Sequence, residues 1–308
     1  MEAPYAEAGF MTREAAAIAE TGARAFVSNE ATERAGADIA QKLLDENAAI
    51  LDLTGRVQGL MSVHTTFSCS ADYIRKAKER ASQKGALFQL HLSEGTYHVE
   101  DTLERFGKRP VPYLDELGVL DEMTIASQSV HLSEEEIELL AARGVHVSHN
   151  PVSNMEIGTG VAPVRSMLDH GVNVTLGDDG FVRAFDPSFN MSTTFLLHQL
   201  STGGAGLSAQ EVLSLLTSNA ARALRLEAGS IEEGKLADLV LLNDSSPAPL
   251  LPENVIYHTV LGASSGDVAA VIVDGQVVVE RGVAQLVDEE RLKQRAMDTI
   301  RRLWDGKR

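Results

Sequence analysis

The sequence contains a single cysteine, Cys69, in 308 residues. That excludes an intramolecular disulfide and any zinc motif built on several cysteines. Positive charge is also scarce: 27 Lys and Arg stand against 44 Asp and Glu, a formal charge of −17. A surface of that sign repels phosphate backbones and anionic lipid heads, so neither a nucleic acid nor a membrane surface is an expected partner. The one locally basic stretch, Arg291 to Arg302, is interleaved with apolar residues at helical spacing and reads as the solvated face of a terminal helix. No run approaches the roughly 18 consecutive apolar residues of a transmembrane helix. Met1-Glu2-Ala3-Pro4 lacks the basic and apolar regions of a signal peptide. Together these absences predict a cytoplasmic protein.

What is present is a repeated device. Short apolar runs end in polar, chemically capable residues. Leu87 to Leu90 ends in His91-Leu92-Ser93-Glu94, and Ile125 to Val130, interrupted by Gln128, ends at His131. Val145 to Val147 ends in His149-Asn150-Pro151, and Val172 to Leu176 ends in Gly177-Asp178-Asp179-Gly180. Val57 to Val63 likewise ends in His64-Thr65-Thr66-Phe67. Apolar runs alternating with helical segments predict parallel strands covered by helices. In such folds the site lies at the carboxyl ends of the strands. Histidines and carboxylates collected there suit binding of a divalent metal and activation of water.

Two His-Leu-Ser-Glu tetrapeptides differ in context. Ser133-Glu134-Glu135-Glu136 precedes Ile137 and Leu140 as a capping box, so Glu134 and the neighbouring His131 have a structural reason to be there. Glu94 precedes Gly95-Thr96-Tyr97 with no such apolar period and is the better candidate for chemistry. Ser70 caps a helix running toward Gln83, and Ser208 opens another capping box. From Gly229 the texture changes: Leu239 to Leu242, Val268 to Val273 and Val277 to Val279 predict a small sheet, followed by an amphipathic helix to Trp304.

The ordered series His91-Leu92-Ser93-Glu94, Ser129-Val130-His131-Leu132, Ser148 to Met155, Ala162-Pro163 and Leu176 to Gly180 resembles the amidohydrolase superfamily. It is most similar to the cytosine/guanine and S-adenosylhomocysteine deaminase and chlorohydrolase group. The tail Gly234 to Leu242 is typical of that group, and Pro247 to Leu250 with Val260-Leu261-Gly262 resembles the SsnA-type aminohydrolases. The resemblance implies an α/β fold, a (β/α)8 TIM-like metal-dependent hydrolase barrel with a small C-terminal β-rich appendage. It implies His91 and Asp179 as metal ligands of one zinc or iron ion. Asp179 would also take a proton from the attacking water, with Glu94 relaying it to the ring nitrogen and leaving amine. Gln128 stands where the group has a histidine, and His64, Asn154 and His149 fall in the substrate pocket.

The group opens its barrel with a His-x-His pair, and no such pair occurs upstream of His64. By this alignment the chain lacks the first two barrel strands, giving an incomplete barrel over 1–228, a β-sandwich-like segment over 229–285 and a helix over 286–308. The expected reaction is deamination of an amino-heterocycle such as a purine or pteridine. The alternatives are a catalytically inactive remnant serving as a binding or assembly module, and a chlorohydrolase or N-dealkylating hydrolase of triazine-like rings. The expected partners are a small heterocyclic substrate and either a second copy or a missing N-terminal segment.

Overall fold

The computed structural model describes residues 9–179, 186–244 and 249–306. Its main sheet is parallel. β3 (Met61–Val63), β4 (Phe88–Leu92), β5 (Thr124–Gln128), β6 (His146–His149) and β7 (Asn173–Leu176) lie in sequence order. Ahead of them β1 (Ala25–Val27) pairs in parallel with β2 (Val57–Gly59). Only Leu60 separates β2 from β3, and its amide still reaches the Val27 carbonyl at 3.0 Å while the Met61 amide turns to Leu87 at 3.0 Å. The predicted strand Val57 to Val63 is therefore one extended segment that changes neighbours at Leu60. Leu90, Ala126, Val147 and Val174 at the sheet centre are fully buried, as expected for strands covered on both faces.

The helices form where the sequence places their signals. Ser70 accepts the Tyr73 amide to open Ala71–Lys84, and Gly85 closes it with φ +62°. That helix buries Ile74, Ala77 and Ala81 against the sheet. Helix Glu134–Arg143 starts with the expected capping box, closed reciprocally by Ser133 and Glu136. Glu136 does more than cap. Its buried carboxylate lies 2.7 Å from Arg109 and accepts the Val111 amide at 3.2 Å, tying this helix to Pro110–Glu116. Glu136→Ala removes three partners at once and is expected to cost about 3 kcal/mol of stability in urea unfolding. A loss under roughly 1 kcal/mol would assign the tie to the surface-pair class instead.

β7 ends the sheet among the described residues, and its outer side is not left bare. Helices Ala209–Leu216 and Ser218–Ala223 lie against it. Asn219 donates its side-chain amide to the Val174 carbonyl at 3.0 Å and accepts the Asn173 amide on its own carbonyl at 3.0 Å. The C-terminal strands form a separate antiparallel sheet, in the order β11 (Val283–Ala284), β10 (Gln276–Glu280), β9 (Val268–Val273), β8 (Leu239–Leu242). Arg24, just before β1, ties this sheet to the main body through Asp238 at 2.5 Å. Helix Glu289–Asp305 buries none of its residues. Among the described residues no helix is long and apolar enough to cross a membrane.

Candidate functional site

The parallel strands deliver their polar residues to one end. A cavity of about 760 Å³ opens there, lined by Glu30, His64, His91 and Glu94 on one side and by Asn150, Asp178 and Asp179 on the other. Each reaches the cavity because its strand stops. β4 carries His91 to the rim, and Ser93 takes φ +46° to turn the chain toward Glu94. β5 stops at Gln128, with φ +76°, followed by Ser129 at φ +53°. The strand therefore ends two residues earlier than the apolar run to Val130 suggested. His131 lies beyond this reversal, its Nε2 2.7 Å from the Thr159 carbonyl. Gly177, after β7, has to be glycine: an added Cβ would run into Asn150 Oδ1 and Ser148 Oγ.

Two polar clusters organise the cavity. In the first, Glu30 Oε1 lies 2.7 Å from His91 Nδ1, a close ion-pair contact with side chains 12% and 20% exposed. Burial works to raise the Glu30 carboxyl, but His91 more than offsets it and holds the group below the usual carboxylate range. Burial likewise works to lower His91, and Glu30 reverses the sign, so the imidazole titrates above its ordinary value. The His64 ring packs edge-on to His91 at 5.6 Å, and its Nδ1 is 2.6 Å from Ser68 Oγ. Burial pushes His64 down to about 4. Glu94 shifts up, chiefly through burial.

In the second cluster, Gln128 donates from Nε2 to Asp179 Oδ2 at 2.7 Å, and Ser153 Oγ donates to the same oxygen at 2.9 Å. Asn154 Nδ2 donates to Gln128 Oε1 at 2.8 Å, which fixes the orientation of that amide. Asp179 itself sits at φ +54°. Of the residues singled out from sequence, His64, His91, Glu94 and Asp179 line the cavity. Gln128 and Asn154 stand behind Asp179 as a chain of side-chain amides. His149 points elsewhere: it is 1% exposed, and its Nε2 is 3.1 Å from Nε2 of His198 on helix Pro187–Ser201. The adjacent Asn150 takes the place at the cavity wall.

Sequence reasoning missed Glu30, Arg34 and Tyr97, which also line the cavity. The signal for Glu30 was available, since Ala23 to Val27 reads as a strand and Glu30 follows its end like the other site residues. Arg34 lies over the Phe67 ring at 4.9 Å, and Tyr97 packs on that ring at 5.3 Å.

The arrangement has known counterparts. A model of the amidohydrolase family matches residues 4–278. The chain is 35% identical over 304 residues to the 5′-deoxyadenosine deaminase of Methanopyrus kandleri, covering 96% of this chain and 70% of that protein. It is 37% identical over 277 residues to the 5-methylthioadenosine/S-adenosylhomocysteine deaminase of Thermococcus sibiricus, covering 87% and 65%. An adenosine deaminase from Xanthomonas campestris, solved with bound zinc, aligns with a TM-score of 0.88 at 26% identity, covering 96% of this chain and 70% of that one. The reaction class expected from sequence, hydrolysis of a non-peptide carbon–nitrogen bond, is the class of these deaminases. Family model, relatives and fold agree: the chain belongs to the amidohydrolase family.

Proposed function

We propose that the cavity is the site of hydrolytic deamination of an adenosine-like purine nucleoside. The observation that carries this reading is the convergence on one cavity of His91 and Glu94, from the end of β4, with Asp179, from the end of β7. In the reaction a water oxygen bonds to the ring carbon bearing the amino group, and ammonia leaves. Asp179 takes the proton from the water. Its Oδ2 is occupied by Gln128 and Ser153, so the remaining oxygen is the one available. Glu94, kept more readily protonated by burial, gives its proton to the ring nitrogen and recovers one from the added hydroxyl as the carbonyl forms, while the proton held by Asp179 passes to the departing amine, which leaves as ammonia. His64 and Asn150 bound the space in which the ring lies.

The zinc of the Xanthomonas structure makes a divalent ion the expected cofactor of the family. Here His91 and Asp179 offer one imidazole nitrogen and one carboxylate. Among the described residues no group of three or more His, Cys, Asp or Glu side chains is disposed to hold an ion. Catalytic zinc sites take three protein ligands, so these residues do not complete one, and no step above is routed through a metal. We place the remaining ligands, and the first two strands of an eight-stranded barrel, in a further segment or a second copy. The same reading divides the chain into barrel (1–228), small sheet (229–285) and terminal helix (286–308). The ligand count also favours a second reading, a module that binds its ligand without turning it over.

The test is ammonia release from 5′-deoxyadenosine by the full chain with zinc added. Release that disappears in Asp179→Ala supports deamination. Chloride release from a chlorinated triazine with no ammonia from the nucleoside would overturn it.

A further inference from the structure

The ligand count leaves a question about the two groups that are present. Protein partners orient such groups even where an ion is bound, an imidazole commonly giving its second ring nitrogen to a carboxylate. In this chain both groups are held by protein partners. Glu30 approaches His91 Nδ1 to 2.7 Å, in a contact that is largely buried on both sides. Asp179 Oδ2 receives Gln128 and Ser153 at 2.7 and 2.9 Å.

Gln128 suits this arrangement because an amide donates from one atom and accepts on another. It binds Asp179 with its nitrogen while Asn154 holds its oxygen at 2.8 Å. A fully buried side chain in a left-handed backbone conformation is thereby satisfied at both polar atoms. The Glu30 carboxylate rests against His91 Nδ1, and the Asp179 carboxylate is held by two donors. The walls of the cavity are thus ordered without a cation.

We infer that the pocket binds its purine nucleoside without a metal ion, with Glu30 as the positioning residue that holds His91 at the cavity wall. This rests on the nucleoside reading above and separates binding from turnover. Binding uses groups that the described chain fixes by itself, and turnover needs ligands that it does not complete. The ring has polar partners in Glu94, Gln89 and Asn150, and an aromatic face in Tyr97, 53% exposed beside them. Glu30 acts through His91. Without the carboxylate, the imidazole loses its ion-pair contact at Nδ1 and turns within the cavity.

The experiment is calorimetric titration of the full chain with 5′-deoxyadenosine, once after exhaustive chelation and once with zinc restored. The expected result is affinity in chelator within about threefold of that with zinc. Glu30→Ala should weaken chelated binding by about tenfold or more, and Glu30→Gln, which keeps size and an acceptor for Nδ1, should recover most of it. Circular dichroism establishes that each variant is folded, and the wild-type comparison stands even where one is not. Binding that appears only with zinc overturns the inference and leaves the deaminase reading intact. Glu30→Ala binding like wild type overturns the role given to Glu30. No binding in either condition removes the nucleoside reading together with the inference.

Discussion

In the assembly that supplies the remaining ligands, Glu94→Gln is expected to lower ammonia release about a thousandfold while changing nucleoside affinity by no more than about threefold. The substitution keeps the volume and hydrogen-bonding capacity of the side chain and removes its ability to carry a proton. Glu94 is suited to that task. Burial raises its carboxyl, the His91 imidazole opposes the shift, and the nearby Asp179 and Glu30 carboxylates add to it. A group so poised holds its proton closer to neutral pH than an exposed glutamate does. The check is steady-state ammonia release alongside equilibrium binding. A rate within tenfold of wild type would remove Glu94 from the proton path, and a parallel loss of affinity would make it a binding group instead.

Acidification is expected to destabilise the protein by several kcal/mol between about pH 6.5 and pH 4. The cause is a set of histidines buried as neutral imidazoles. His98 and His149 are each 1% exposed and His198 is 2% exposed. Burial lowers His98 and His149 to about 3 and His198 to about 4. In the unfolded chain these groups take up protons as the pH falls through about 6.5. In the folded state they do so only near their depressed values. Across that window the unfolded state binds more protons, so folding stability falls as pH falls. His149 and His198 share one contact, Nε2 to Nε2 at 3.1 Å, which requires a donor on one ring and an acceptor on the other. Protonating both destroys that match. His91 works in the opposite sense, since Glu30 raises it, but it stands against these three and against His64 and His146, which burial also lowers. Urea midpoints measured from pH 7.5 to pH 4.5 test this, and a midpoint that stays flat while the chain remains folded would contradict it.

The parts of the molecule that proved legible in the sequence share one property: a local signal and a structural role that coincide. Ser133 with Glu136 and Ser208 with Glu211 close their capping boxes as expected, because the whole motif lies within four residues. Strands β4 to β7 could be read because apolar runs of that length, each followed by a polar break, have few other uses in an α/β chain. His91, Glu94 and Asp179 meet at one cavity because parallel strands bring like ends together.

What could not be read depends on contacts between distant residues. The end of β5 at Gln128 is set by a backbone reversal that Leu92 and Ser93 accept from the neighbouring strand, through amides of Ser129 and Val130. Nothing in Ile125 to Val130 announces it. His149 looks like a strand-end site residue, and its partner His198 is 49 positions away in the last turn of a helix. Glu30 follows a strand that can be read, but its contact with the distant His91 cannot be.

The covered edge at β7 bears on how the protein behaves when crowded. A strand with free amides and carbonyls on its outer side invites a strand from another molecule, and chains accumulating at high concentration pair there before they pair anywhere else. Asn219 occupies part of that edge: its side-chain amide donates to the Val174 carbonyl of the strand, while its backbone carbonyl accepts from the Asn173 side chain. The Val174 carbonyl is thereby taken by a side chain that cannot itself be extended as a strand. Resistance to strand addition at that point belongs to a residue outside the cavity lining.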